Sequence, residues 1–253
     1  MIPIVESLLF ASYRKIRFAM STRIGGVSPE PLGMNLSYHV GDDPVNVREN
    51  RRRFFDAIGI HAERVAFAGQ CHSNRVVIVH AADVIPRCDG LLTDRPGIAL
   101  AISVADCLPL FVFDPVRNGI AAIHAGWRGT AAHIALITVT KMTDHFGSTP
   151  SDLVAFIGPC AGVCCYEIGE EVADQLDERC IESRDAKIFA DLKQANFTQL
   201  VASGIVPSNI EVSDDCTICD GERYHSYRRE KEKSGRMLGV ITLVEKERSI
   251  CAG

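Results

Sequence analysis

Three apolar runs, at 98–104, 108–113 and 120–123, lie almost end to end in the middle of the chain. Each is shorter than an ordinary helix and rich in Ile, Leu, Val, Ala or Phe, so each reads as a buried strand. Asp114-Pro115-Val116-Arg117-Asn118-Gly119 supplies turn chemistry between the last two and makes them an antiparallel pair. Shorter strand candidates at 65–68, 76–79 and 237–244 join them. Another at 18–23 runs into a turn where Gly25 and Gly26 supply positive φ angles. Helical spacing appears at 45–58, with Pro44 in the first turn where its missing N–H costs nothing, and again from Thr130 through Phe146. The second half carries helical periodicity at 169–182 and 186–203, with Pro207 closing that region. Strands gathered early, helices following and antiparallel turns between strands predict an α+β fold of mixed β-sheets packed in layers and flanked by helices. No repeat, low-complexity tract or Pro/Ser-rich linker divides the chain, so a single domain over 1–253 is expected.

Charge narrows the choice of partner. The net charge is −5, and Lys and Arg are scattered apart from short runs such as Arg51-Arg52-Arg53 and Tyr227-Arg228-Arg229. A nucleic-acid binder concentrates positive charge on one face, and the Arg51 run follows acidic residues in a helix-like stretch, so a solvated helix face is the expectation and nucleic acid is not. No apolar stretch is long enough for a membrane span. The start of the chain carries Glu6 and lacks a basic region and a small-residue cleavage site, which makes a cytoplasmic protein the expectation. Ten cysteines in a chain of this length without an export signal read as reduced thiols or metal ligands, not as a disulfide framework.

Candidate chemistry sits at strand ends. His72 falls in a polar loop between two strand candidates, Cys107 in the turn Ala105-Asp106-Cys107-Leu108-Pro109, and His124 at the end of a strand. Two imidazoles and a thiolate suit zinc, whose catalytic sites commonly take three protein ligands and keep a fourth position for water that ionises near neutral pH. No local His-x-x-x-His or Cys-x-x-Cys ties these residues together. Spacing therefore leaves open a plain buried thiol with two hydrogen-bonded histidines, and also a Cys107 nucleophile with His124 as base. Gly126-Trp127-Arg128-Gly129 stands between strand and helix, where backbone N–H groups and Arg128 suit an anion such as phosphate; a Gly-rich connector anchored by Trp127 fits the same residues. Cys216-Thr217-Ile218-Cys219 is a Cys-x-x-Cys with Cys160, Cys164 and Cys165 upstream. No second knuckle of zinc spacing accompanies it, so plain thiols are expected there over a structural zinc.

Read in order, a set of motifs resembles one family. They are Thr22-Arg23-Ile24-Gly25-Gly26-Val27-Ser28, Met34-Asn35-Leu36-Ser37-Tyr38-His39, Gln70-Cys71-His72, Cys88-Asp89-Gly90, Ala105-Asp106-Cys107-Leu108-Pro109, His124-Ala125-Gly126-Trp127-Arg128-Gly129, Cys164-Cys165-Tyr166-Glu167-Ile168-Gly169 and Ser226-Tyr227-Arg228-Arg229. Together they resemble the laccase-domain purine nucleoside phosphorylase and adenosine deaminase family, a multicopper polyphenol oxidase-like group that includes a peptidoglycan editing factor. The resemblance spans nearly the whole chain and rests on the combination, since each motif alone is weak.

The resemblance implies zinc on His72, Cys107 and His124, which would form the catalytic centre, with copper the lesser alternative. It implies purine nucleosides and phosphate as partners: phosphorolysis of adenosine, inosine, guanosine and methylthioadenosine, and hydrolytic deamination of adenosine. Arg128 is the expected anion contact, with Arg23, Asn35 and Gln70 as further substrate-pocket residues and Asp106 as a carboxylate to assist proton transfer. An amidase removing L-Ser from a UDP-MurNAc precursor would use the same ligands. A copper phenol oxidase fits less well, because the sequence has three ligands and no dense His-x-His pairs. A non-enzymatic structural zinc domain would need a fourth protein ligand. Departures from the family pattern are Ser73 where glycine is usual, Tyr224-His225 where an aromatic pair is common, and a longer loop at 230–233.

Overall fold

The computed structural model describes residues 2–245. Two six-stranded mixed sheets form its centre. The first runs Ile4–Val5, Ile16–Ser21, Met237–Leu243, Ala99–Val104, Val65–Gly69, Val84–Pro86. The second runs Ile210–Val212, Val154–Ile157, Leu108–Asp114, Gly119–Ala125, Gly90–Thr93, Val76–Ile78. The central antiparallel pair joins Leu108 to Ala125 and Asp114 to Gly119, and the turn between them is held by Asp114 Oδ1, which accepts from Val116 N and Arg117 N at 2.8 Å.

The strands Leu108–Asp114 and Gly119–Ala125 are buried at every position because both their faces are covered, so the alternation expected of a half-solvated sheet disappears. Phe111, Phe113, Ile120 and Phe156 of the second sheet pack against Leu100 and Ile241 of the first. Their chain neighbours Leu110, Val112, Ala121 and Ile123 turn the other way, onto Val139 and Met142 of the helix Ile134–Phe146 and Leu200 of the helix Leu192–Ala202. Beyond the first sheet, Ala99, Ala101 and Val240 meet Phe54 and Phe55 of the helix Pro44–Ile58. The order is therefore helix, sheet, sheet, helices, which is the expected layered α+β arrangement. Asp43 starts the helix Pro44–Ile58 by accepting from Val45 N, and Gly59 at φ 63 ends it.

The second half departs from the helical expectation. Within 169–182 only Glu170–Ala173 is α-helical, followed by a 3-10 turn and the strand Ile181–Arg184. The stretch 186–203 divides at Asp191, which caps Leu192–Ala202 by accepting from Gln194 N at 2.9 Å; before it, Lys187–Ala190 is a strand. Glu167–Ile168, Lys187–Ala190 and Ile181–Arg184 make a small three-stranded sheet. Two- to four-residue strands are too short for a period of two to be told from 3.6, which is why periodicity misread them. The helix expected through Phe146 is two, Trp127–Ala131 and Ile134–Phe146, separated at His133 with φ 58. Among the described residues no helix is long and apolar enough to cross a membrane.

Candidate metal centre

At one end of the sandwich the chain crosses three times from the first sheet to the second, and two of these crossings carry candidate ligands. One crossing joins Val65–Gly69 to Val76–Ile78 and carries His72; the other joins Ala99–Val104 to Leu108–Asp114 and carries Cys107. His124 faces Pro109 in the adjoining ladder. Both crossings put a non-glycine residue in the left-handed region, His72 at φ 59 and Asp106 at φ 82. Such geometry survives only where neighbours enforce it. For Asp106 the neighbours are Thr217 Oγ1 at 2.7 Å, Ser226 Oγ at 3.0 Å and Arg228 N at 2.7 Å, all donating to its carboxylate. With both oxygens occupied, Asp106 fixes the turn that presents Cys107.

The three candidate ligand atoms lie within 4.8 Å of one another, with Cys107 Sγ 3.9 Å from His72 Nε2 and the two imidazoles edge to face at 4.9 Å between centroids. Ligands around a tetrahedral zinc at about 2.0–2.3 Å stand roughly 3.3–3.8 Å apart, so the set is close to a coordination polyhedron with one corner that no described residue supplies. Gly126 belongs to the same geometry: a Cβ there would stand 3.2 Å from Cys107 Sγ and 3.3 Å from a His72 ring carbon.

Asp89, a fully buried residue that the sequence reading left without a role, organises the site. Its carboxylate accepts from His124 Nδ1 at 2.8 Å, His72 N at 3.0 Å, and Ser73 N and Oγ at 2.7 Å. Nδ1 of His124 thus carries its proton toward Asp89, leaving Nε2 as the donor atom, the usual second-layer device of metal sites. The departure at Ser73 adds a hydroxyl to this network. Burial pushes the Asp89 carboxyl up, but these donors outweigh it and hold it well below the usual carboxylate range. Burial also opposes ionisation of the Cys107 thiol, and the adjacent His124 and His72 overcome it, lowering the thiol to about 6. A thiolate at neutral pH is the form a metal takes.

Beside these ligands opens a cavity of about 930 Å³, lined by His72, Cys107 and His124 and also by Arg51, Arg236, Tyr38, Tyr227, Phe67 and Ser103. Gln70 lines it too, with its amide clamped to Ser103 N and O at 2.7 Å. Asn35 is buried behind the wall and accepts from Arg236 N at 3.0 Å. Arg23 is taken up by Glu230 at 2.6 Å and Glu30 at 3.0 Å, and Arg128 lies exposed over the Trp127 ring at 4.2 Å; neither lines the cavity. The cations that do are Arg51 and Arg236. Arg51 was read as part of a solvated helix face; its guanidinium instead stands 4.5 Å from the centroids of both Tyr38 and Phe67, while Arg52 and Arg53 do pair with Glu49 on the outer face. Position along the helix separates them, since only Arg51 points back to the Leu36 carbonyl, at 2.8 Å.

A family model described as multi-copper polyphenol oxidoreductase laccase matches residues 17–244. Similar curated proteins include a purine nucleoside phosphorylase of Deinococcus radiodurans, 40% identical over 250 residues and covering 95% of this chain and 94% of that one. Purine nucleoside phosphorylase YlmD of Geobacillus stearothermophilus is 35% identical over 243 residues, with 88% of each chain covered. The crystal structure of YlmD from that organism superposes with a TM-score of 0.88 at 34% identity, over 94% of both chains.

Proposed function

Because the chain belongs to the multi-copper polyphenol oxidoreductase laccase family, we propose that it is a purine nucleoside phosphorylase whose centre is His72, Cys107 and His124, and that it also deaminates adenosine. The convergence of those three donors on a roomy cavity carrying two arginines and several aromatic rings supports this reading. Three mixed N and S donors, with no fourth protein donor beside them among the described residues, are the set of a catalytic zinc site. A zinc ion held there supplies Lewis acidity and ionises water near neutral pH.

The chain's own residues do the rest. Asp89 holds His124 in the tautomer that presents Nε2, and the Asp106 network holds Cys107 in place. The aromatic walls suit a purine ring. Arg51 and Arg236 suit phosphate, which would form the new bond to the ribose C1′ as the C1′–N9 bond breaks and the base leaves with a proton. The family's copper name finds less support: one histidine-containing donor cluster exists among the described residues, where a multicopper centre needs several.

The test is product analysis from adenosine with and without phosphate. Adenine and ribose 1-phosphate are expected only with phosphate, inosine and ammonia in either case, and both reactions should fall with chelation and return with zinc. Absence of phosphate-dependent base release would overturn the phosphorylase reading, and serine release from a murein precursor in its place would move the site to amide chemistry.

A further inference from the structure

The fold brings four cysteines together away from the histidine-bearing centre. Cys216 and Cys219 come from the loop after Ile210–Val212, and Cys164 and Cys165 from the loop after Val154–Ile157. Their four Sγ atoms lie within 4.8 Å of one another, with Cys219 at 3.5 Å from Cys164 and 3.2 Å from Cys165. The second half-site missing from the sequence spacing is therefore the adjacent pair Cys164-Cys165. We propose that Cys164, Cys165, Cys216 and Cys219 bind a zinc ion as a closed four-thiolate site, distinct from the site at His72, Cys107 and His124 and independent of the nucleoside reading.

Four zinc–sulfur bonds of about 2.3 Å place tetrahedral sulfurs roughly 3.8 Å apart; the Cys219 contacts at 3.5 and 3.2 Å fall just inside that edge, and all four sulfurs lie within 4.8 Å of one another. All four are free thiols, and the Cys219 contacts at 3.5 and 3.2 Å are well beyond the roughly 2.05 Å of an S–S bond. Adjacent cysteines ordinarily point to opposite sides of an extended chain, but here Cys165 N and Tyr166 N both bond to Gly162 O at 2.9 Å, and the resulting turn swings both thiols to one side. Gly162 N also donates to Cys216 Sγ at 3.2 Å, the kind of N–H···S contact that stabilises a bound thiolate. Gly162 has no room for more: a Cβ would stand 3.2 Å from Cys164 Sγ and 3.4 Å from Cys216 Sγ. Binding would release the thiol protons to solvent, and all-sulfur tetrahedral donors select zinc or iron over harder ions.

Such a site would tie together two loops that both reach the Cys107 turn. Ala161 N donates to Asp106 O at 2.9 Å, and Thr217, inside the Cys-x-x-Cys, donates to the Asp106 carboxylate. The zinc would be a staple behind the catalytic turn.

The experiment uses the full chain, reduced without oxygen and loaded with zinc. Unaltered protein is expected to hold two zinc ions per chain, one for each cluster. His72→Ala/His124→Ala should lose one, and its cobalt form should show the charge-transfer and d–d bands of a four-thiolate tetrahedron. Cys164→Ser/Cys165→Ser, at an exposed and a half-buried position that spare the core, should lose the other. Should that variant not fold, iodoacetamide mapping of unaltered protein decides instead: zinc is expected to shield Cys164, Cys165 and Cys219. Loss of all zinc from His72→Ala/His124→Ala, unshielded thiols at saturating zinc, or iron as the ion retained at the cluster would each overturn the assignment.

Discussion

At the end of the sandwich, one thiol shares a cluster with two imidazoles and a cavity of about 930 Å³; on two loops behind it, four thiols form a cluster with no imidazole. The first set is built on sheet crossings and backed by the buried Asp89. The second has Cys164 and Cys219 exposed, and Gly162 N donates to one of its sulfurs. A mixed donor set with a missing corner suits chemistry on a small molecule, whereas a full set of sulfurs leaves no corner for one. On the proposed assignments the same element of chemistry, a cysteine thiolate, would serve opposite ends according to how many partners the fold supplies.

Cys107→Ser should separate the two regions most sharply. Losing the thiolate is expected to lower kcat/KM for adenosine phosphorolysis by about 10³-fold or more, near 4 kcal/mol. Metal analysis of the same protein should show the four-thiol cluster still loaded. Loss of both ions would mean that the clusters depend on one another. Asp89→Asn comes next: an amide keeps one acceptor oxygen and turns its NH2 toward groups that are already donors, so zinc affinity at the histidine-bearing site should fall about 10- to 100-fold in a chelator competition, with no change at the four thiols. Arg51→Ala belongs to the cavity alone. It should raise KM for phosphate about tenfold with a smaller change in kcat, and an unchanged KM would shift the anion to Arg236.

How far the sequence reveals each region follows from the range of the signals. The buried strands around Leu108–Asp114 and Gly119–Ala125 were legible because continuous apolar character and an Asp-Pro turn are local. The positions of His72, Cys107 and His124 at strand ends were legible too, but their meeting depends on two crossings between sheets, which no local pattern encodes. Asp89 was hidden because its function is to hold His124, a partner 35 residues away. The pairing of Cys164-Cys165 with Cys216-Thr217-Ile218-Cys219 was hidden because adjacent cysteines do not look like a knuckle until the Gly162 turn folds them to one side. Arg51 differs from Arg52 and Arg53 only in its direction around a helix, and the cavity it reaches is formed by distant segments.

Glu230, whose contacts reach only the thiol-bearing region, gives the smallest expected effect. Its Oε1 accepts from Arg23 at 2.6 Å and from Arg229 at 3.1 Å, while Arg229 reaches the carbonyls of Thr217 and Ile218 within the Cys-x-x-Cys. Burial pushes the Glu230 carboxyl up, but His225, Arg229 and Arg23 outweigh it and lower it from 4.5 to about 2. A carboxyl lowered on folding stabilises the native state above its unfolded pKa, and that contribution disappears as pH falls through the folded value. Glu230→Gln should therefore cost about 1–2 kcal/mol in denaturant unfolding at neutral pH. The gap from the unaltered protein should narrow as pH drops from 4.5 toward 2, because the protonated carboxyl and the amide are then both neutral. A deficit that stays constant down to the acid limit would assign the effect to packing of the 230–233 loop, and the charge link from Arg23 through Glu230 to Arg229 would carry no stability.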